Sequence, residues 1–165
     1  METKELTMAL KRIFAALAMA LTAASPFGAV AQDVPVITVS SATETATFTR
    51  DELEAMNVVT VETTTPWNEG VVTFEGVLFT DLLAEINADG ETTVVTALND
   101  YSVDVPTADF AEFGTILAFK RNGEYMPVDD QGPFFVVYPF DSNPVLQGQP
   151  YYGRAVWQVK EITVH

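Results

Sequence analysis

From Val36 to Val164 the chain alternates short runs of β-branched and aromatic residues with polar breaks. Val, Ile, Thr and Phe suit a pleated, half-buried surface. Strands are therefore predicted at Val36–Val39, Ala46–Phe48, Val58–Thr63, Thr92–Leu98, Ile116–Arg121, Phe134–Tyr138 and Val156–Val164. Helical patterns are few and short. Thr49-Arg50-Asp51-Glu52 reads as a capping box, in which the Thr49 hydroxyl accepts from the Glu52 amide and the Glu52 carboxylate reaches back. It predicts a helix of little more than a turn, ending before Asn57. A second helix is predicted over Phe79 to Asn87, opened by Thr80 or Asp81 and stopped at Asp89-Gly90. There Leu82, Leu83 and Ile86 share one face, which makes that face core. A third helical turn is predicted at Thr107 to Phe113, ended by Gly114, and Asn122-Gly123 is a two-residue hairpin signal. With no internal repeat or low-complexity tract, the pattern describes a β-rich α+β domain and not an alternating β-α-β wind.

The N-terminal segment has a different logic. Lys11 and Arg12 precede the apolar stretch Ile13 to Thr22, and small residues end in Ala29-Val30-Ala31. A charged start, a short apolar core and an A-x-A site predict a signal peptide over residues 1–31, cleaved after Ala31. The apolar stretch is about half of the roughly 20 residues a spanning helix needs, and Pro26 and Gly28 break the pattern before the cleavage site. The expectation is a periplasmic or secreted protein with one domain over residues 32–165, without direct membrane insertion after cleavage.

Charge and cysteine content narrow the chemistry. Residues 1–31 hold three of the eight basic and two of the 23 acidic residues, so residues 32–165 carry 5 − 21 = −16. A surface this negative repels phosphate backbones and anionic lipid, so nucleic acid is not an expected partner. The sequence has no cysteine, and its single histidine is the last residue, His165. Zinc, copper, haem and iron–sulfur sites lean on those two residue types, and so do Cys–His and Ser–His nucleophile pairs. No metal is therefore expected. Asp129-Asp130 looks like a calcium-loop fragment but lacks the spaced ligands of a complete one, which favours a solvated turn.

Several short motifs are informative in their order. Phe74-Glu75-Gly76-Val77-Leu78 leads into Asp81-Leu82-Leu83, followed by Asn99-Asp100-Tyr101-Ser102, Val105-Pro106 and Ile116-Leu117-Ala118. Then come Asn122-Gly123-Glu124, Gly132-Pro133, Val136-Val137-Tyr138-Pro139, Val156-Trp157-Gln158-Val159 and Ile162-Thr163-Val164. In this order and spacing the chain, from about Val36 to Val164, resembles the sulfite oxidase-type molybdopterin-binding domain family. The resemblance implies a mixed, mainly β fold with a few short helices. It also implies a molybdenum held by a pterin dithiolene and one protein cysteine, in a segment without counterpart here. Soft thiolate ligation selects and tunes such a metal, so a cysteine-free chain argues against molybdenum. The resemblance also implies basic groups that clamp the cofactor's phosphate, and with only Arg50, Lys120, Arg121, Arg154 and Lys160 in a strongly negative field the full molybdopterin cofactor is not expected. Short, exported members of the family resemble this chain, including its Pro66-Trp67-Asn68-Glu69-Gly70 segment. That resemblance implies a pterin-binding module serving a membrane-bound sensor or signalling protein. The alternative it leaves open is a molybdopterin-dependent oxidoreductase or its subunit.

A pterin offers a flat face for aromatic rings and a pyrimidine edge with two adjacent donors for a carboxylate. The candidate ligand-binding residues are Trp67, Asn99, Asp100, Tyr101, Tyr138, Asp141, Tyr152 and Arg154. Each has an ordinary alternative. Trp67 can pack its own loop, Asn99-Asp100 can make Asx-turn bonds, and Tyr138 fits a half-buried strand. Arg154 serves equally as a multi-donor group in a pocket or as a surface ion pair. Trp157, flanked by Val156 and Val159, reads as core.

Overall fold

The computed structural model describes residues 34–165, so the predicted export signal lies outside the described residues. Among the described residues, ten strands form two sheets. In the first, β1 (Val36–Ser40) lies between β2 (Thr45–Thr49) and β10 (Val159–Val164), and β5 (Thr92–Ala97) and β6 (Ser102–Pro106) continue the order β2-β1-β10-β5-β6. The β1–β10 pair is parallel and its neighbours are antiparallel, which is the mixed pairing expected of an α+β fold. The second sheet runs β3 (Val58–Thr65), β4 (Asn68–Leu78), β7 (Ile116–Arg121) and β8 (Glu124–Tyr125), with β9 (Phe135–Val137) also on β7. Period-2 burial in β1 and β5 puts Ile37, Val39, Val95 and Ala97 into the core, where Ile162 of β10 meets them.

The local signals act as the residues dictate. Glu52 N–H donates to Thr49 Oγ1 at 3.2 Å and Thr49 N–H donates to the Glu52 carboxylate at 2.7 Å, opening α1 (Arg50–Glu54). Gly114 takes φ 66° and ends α3 (Ala108–Phe113). Asn122 and Gly123 both take positive φ between Arg121 and Glu124, the signature of a type I′ hairpin. Leu82, Leu83 and Ile86 are buried as their spacing predicts, and Phe79 stacks on Phe110 of α3 at 4.2 Å between centroids.

Four expectations need correction. The second helix, α2, spans Phe79–Ala84 and its N-cap is Leu78 without a side-chain bond; Thr80 and Asp81 do not cap it. The last strand, expected from Val156, begins only at Val159, because Val156 and Trp157 pair with β9 and Gln158 turns the chain with φ 57°. The residues from Gln149 to Arg154, outside every predicted helix, form a helix, α4. Finally, β4 has no counterpart among the predicted strands: it is an eleven-residue strand whose apolar pattern is interrupted by Gly70 and Gly76.

Candidate functional site

Three connections converge on one cavity of about 280 Å³: the β3–β4 turn, the β5–β6 turn and the segment linking α4 to β10. The first turn is Pro66-Trp67, with Thr65 paired to Asn68 across it. Asn68 N–H donates to Thr65 Oγ1 at 3.2 Å, which fixes the turn and aims Trp67 inward. In the second turn Asp100 takes φ 66°, and Tyr101 N–H donates to Asn99 Oδ1 at 3.1 Å, the Asx chemistry that short Asn side chains supply. Leu98 N–H donates to Gln158 O at 2.8 Å and ties this turn to the third connection.

The cavity wall is aromatic. Trp67 is its hub, with edge-to-face contacts to Trp157 at 5.4 Å, Phe135 at 5.8 Å, Tyr152 at 6.0 Å and Phe140 at 6.2 Å between centroids. Tyr101 and Asn99 stand on one side, and Tyr152, Gly153, Ala155 and Val156 on the other. Every side chain facing the cavity is uncharged. Trp157 is 39% exposed and lines the cavity, which corrects its reading as core: its segment bridges to β9 at a sheet end and leaves the ring at the surface. Tyr101 is 55% exposed at the mouth.

The structure therefore brings together four of the eight residues singled out in the sequence, Trp67, Asn99, Tyr101 and Tyr152, and sets four apart from the cavity wall. Asp100 is exposed and paired with Lys160, whose ammonium holds its carboxyl below the usual range. The Asp141 carboxylate caps the end of β3, accepting from Thr64 N–H and Thr64 Oγ1–H, each at 2.6 Å, and these bonds lower its pKa. Tyr138 is fully buried, and burial, with the neighbouring Asp109 carboxylate, pushes its phenol well above its usual pKa. It donates to Asp109 Oδ2 at 3.2 Å. Arg154 donates to the same oxygen at 2.7 Å, so its guanidinium packs behind α4 rather than in the cavity. Sequence reasoning missed Trp157 and Val156, hidden inside an apparent strand, and missed Asp109, whose neighbours Ala108 and Phe110 mark only a short helix.

A mixed two-sheet domain with an aromatic, uncharged small-molecule cavity is the class that the fold and this site define. The chain belongs to the oxidoreductase molybdopterin binding domain family, whose model matches residues 28–140. The fold is shared with sulfane dehydrogenase SoxCD from Paracoccus pantotrophus in its crystal structure. The match has a TM-score of 0.60 and 17% identity, over 79% of this chain and 38% of that one. At that identity the likeness is one of fold, and the chain spans well under half the length of its structural relative. No curated protein sequence matches it.

The metal-loaded cofactor of such domains does not fit the residues present. The chain contains no cysteine to give a thiolate. Its cations in the described residues are already engaged: Lys120 with Glu54, Arg121 with Asp130, Arg154 with Asp109, Lys160 with Asp100, and Arg50 over the Tyr125 ring. A phosphate in the cavity would meet none of them on the wall. Among the described residues no three His, Cys, Asp or Glu side chains converge as a metal site.

Proposed function

We propose that this chain is an exported pterin-binding module, holding a phosphate-free pterin without molybdenum and passing its presence to a membrane-bound signalling partner. The observation that carries the reading is the uncharged cavity walled by Trp67, Tyr101, Tyr152 and Trp157. Its volume of about 280 Å³ lies just below the range of drug-sized ligand pockets, about 300 to 1,000 Å³. It suits a bicyclic ring better than a nucleotide-extended cofactor. Aromatic faces supply stacking, and the Asn99 amide supplies polar recognition at the ring edge. Ligand state would reach a partner by biasing the exposed part of the cavity wall, where Tyr101 and Trp157 meet solvent.

The chain's two tryptophans, Trp67 and Trp157, both line the cavity, so intrinsic tryptophan emission reports on that site alone. Titration with biopterin is expected to quench this emission and saturate. Trp67→Ala, read through Trp157, is expected to weaken binding about tenfold or more, given ~1–3 kcal/mol per stacked base lost on alanine substitution. An unchanged affinity would remove Trp67 from the site.

Membership of the family favours a second reading, a molybdopterin-dependent oxidoreductase domain or subunit. Elemental analysis of the protein purified from its native host separates the two. Stoichiometric molybdenum supports the second reading, and its absence from fully folded protein supports the first.

A further inference from the structure

The Asp109 carboxylate is buried, at 7% exposure, and takes no part in the cavity wall. It sits in the first turn of α3 and accepts from two partners at one oxygen: Tyr138 Oη–H at 3.2 Å and Arg154 Nη1–H at 2.7 Å. Removing an anion from water is costly unless it is paired and hydrogen-bonded. This pairing satisfies it, and it ties the last residue of α4 to α3. The other side of α4 forms the cavity: Tyr152 and Gly153 precede Arg154, Ala155 comes directly after it, and all three line the wall.

Besides this ion pair, α4 is held by aromatic packing. None of its residues is fully buried, and it is only six residues long. Tyr151 packs edge-on against Phe113 at 5.4 Å and Tyr138 at 5.6 Å, while Tyr152 reaches Trp67 and Phe140. The ion pair adds one fixed point, a charge-assisted bond from a single Arg154 N–H to Asp109 Oδ2 at 2.7 Å, stronger than a neutral hydrogen bond. Arg154 also lies against the Tyr151 ring of the same helix, with its guanidinium carbon 5.1 Å from the centroid, which orients the guanidinium but ties α4 to no other element.

We infer that Asp109 is a positioning residue for the cavity: through Arg154 it fixes the rotation of α4 and hence where Tyr152 stands opposite Trp67. This inference rests on the pterin reading for the identity of the ligand, but not for the conformational claim. Losing the partner that orients a metal ligand costs about 10–100-fold in affinity; for Asp109, which orients an aromatic wall instead, a loss of at least about tenfold in biopterin affinity is expected.

The test uses Asp109→Asn, which keeps shape and one acceptor but removes the charge, together with Arg154→Gln and Arg154→Lys. In ligand-free protein, Asp109→Asn and Arg154→Gln are expected to shift tryptophan emission and raise acrylamide quenching of Trp67 and Trp157 while a cooperative melt is kept. Arg154→Lys, which keeps the charge but not the planar fork, is expected to recover part of the wild-type signal. Emission, quenching and affinity all unchanged in both neutralising variants would overturn the inference, as would equal effects of Lys and Gln at position 154. If Asp109→Asn does not fold, the Arg154 pair decides the outcome. If wild-type protein fails to bind biopterin, the pterin reading falls, while quenching in the ligand-free variants still decides the role of Asp109.

Discussion

Asp141 and Asp100 show how the same side-chain chemistry takes different uses. Both carboxylates have pKa values below the ordinary range, Asp141 through two hydrogen bonds from Thr64 and Asp100 through the Lys160 ammonium. Neither lines the cavity. A folded-state value below the unfolded one, about 3.9 for Asp, means that the contribution to stability is present above that pH and is lost as pH falls through the folded value. Asp141→Asn is therefore expected to lower the melting temperature at pH 7, with the gap to wild type closing as pH falls below about 4. A gap that is constant with pH would show that the charge of Asp141 contributes nothing. The residues that do meet at the cavity, Trp67, Asn99, Tyr101 and Tyr152, were legible as loop-borne aromatics and an Asx turn. The uses of Tyr138, Asp141 and Arg154 were not, because each depends on a partner distant in sequence, 29, 77 and 45 residues away respectively.

At the scale of elements, local signals carried well and long-range pairing did not. The capping box at Thr49, the Asn122-Gly123 turn and the Gly114 stop are complete within a few residues, and each forms as its chemistry requires. β4 was hidden because two glycines interrupt its pattern, yet Gly76 is there for a tertiary reason. A Cβ at that position would lie 2.2 Å from Leu117 O of β7, beside the register shift between Glu75 and Gly76. Gly76→Ala must push the two strands apart and is expected to cost about 1–3 kcal/mol of stability, as overpacking does, measured by denaturant unfolding. An unaltered midpoint would mean that β4 and β7 can separate there at no cost. α4 and the start of β10 were hidden for a related reason. Val156 and Trp157 have strand-like composition, but they pair briefly with β9 before Gln158 turns the chain into the other sheet. That detour is what leaves Trp157 beside Trp67 rather than in the core.

For the whole molecule, the two-sheet α+β architecture and the family membership agree with what the order of motifs implied, from Phe74-Glu75-Gly76 through to Ile162-Thr163-Val164. The pairing of four of the five cations with carboxylates, and of Arg50 with the Tyr125 ring, was outside the reach of sequence. With 5 basic and 21 acidic residues over positions 32–165, each basic side chain has a carboxylate or an aromatic face beside it. Nothing cationic is left on the cavity wall, and the proposed reading requires a bound group that is flat, uncharged and free of phosphate. The most direct test of that claim is calorimetric titration of the protein with biopterin and, in parallel, with neopterin triphosphate. Saturation near one biopterin per chain, with the triphosphate weaker by about tenfold (~1.4 kcal/mol) or more, is the predicted result. No saturable heat with biopterin, or tighter binding of the triphosphate, would contradict the account.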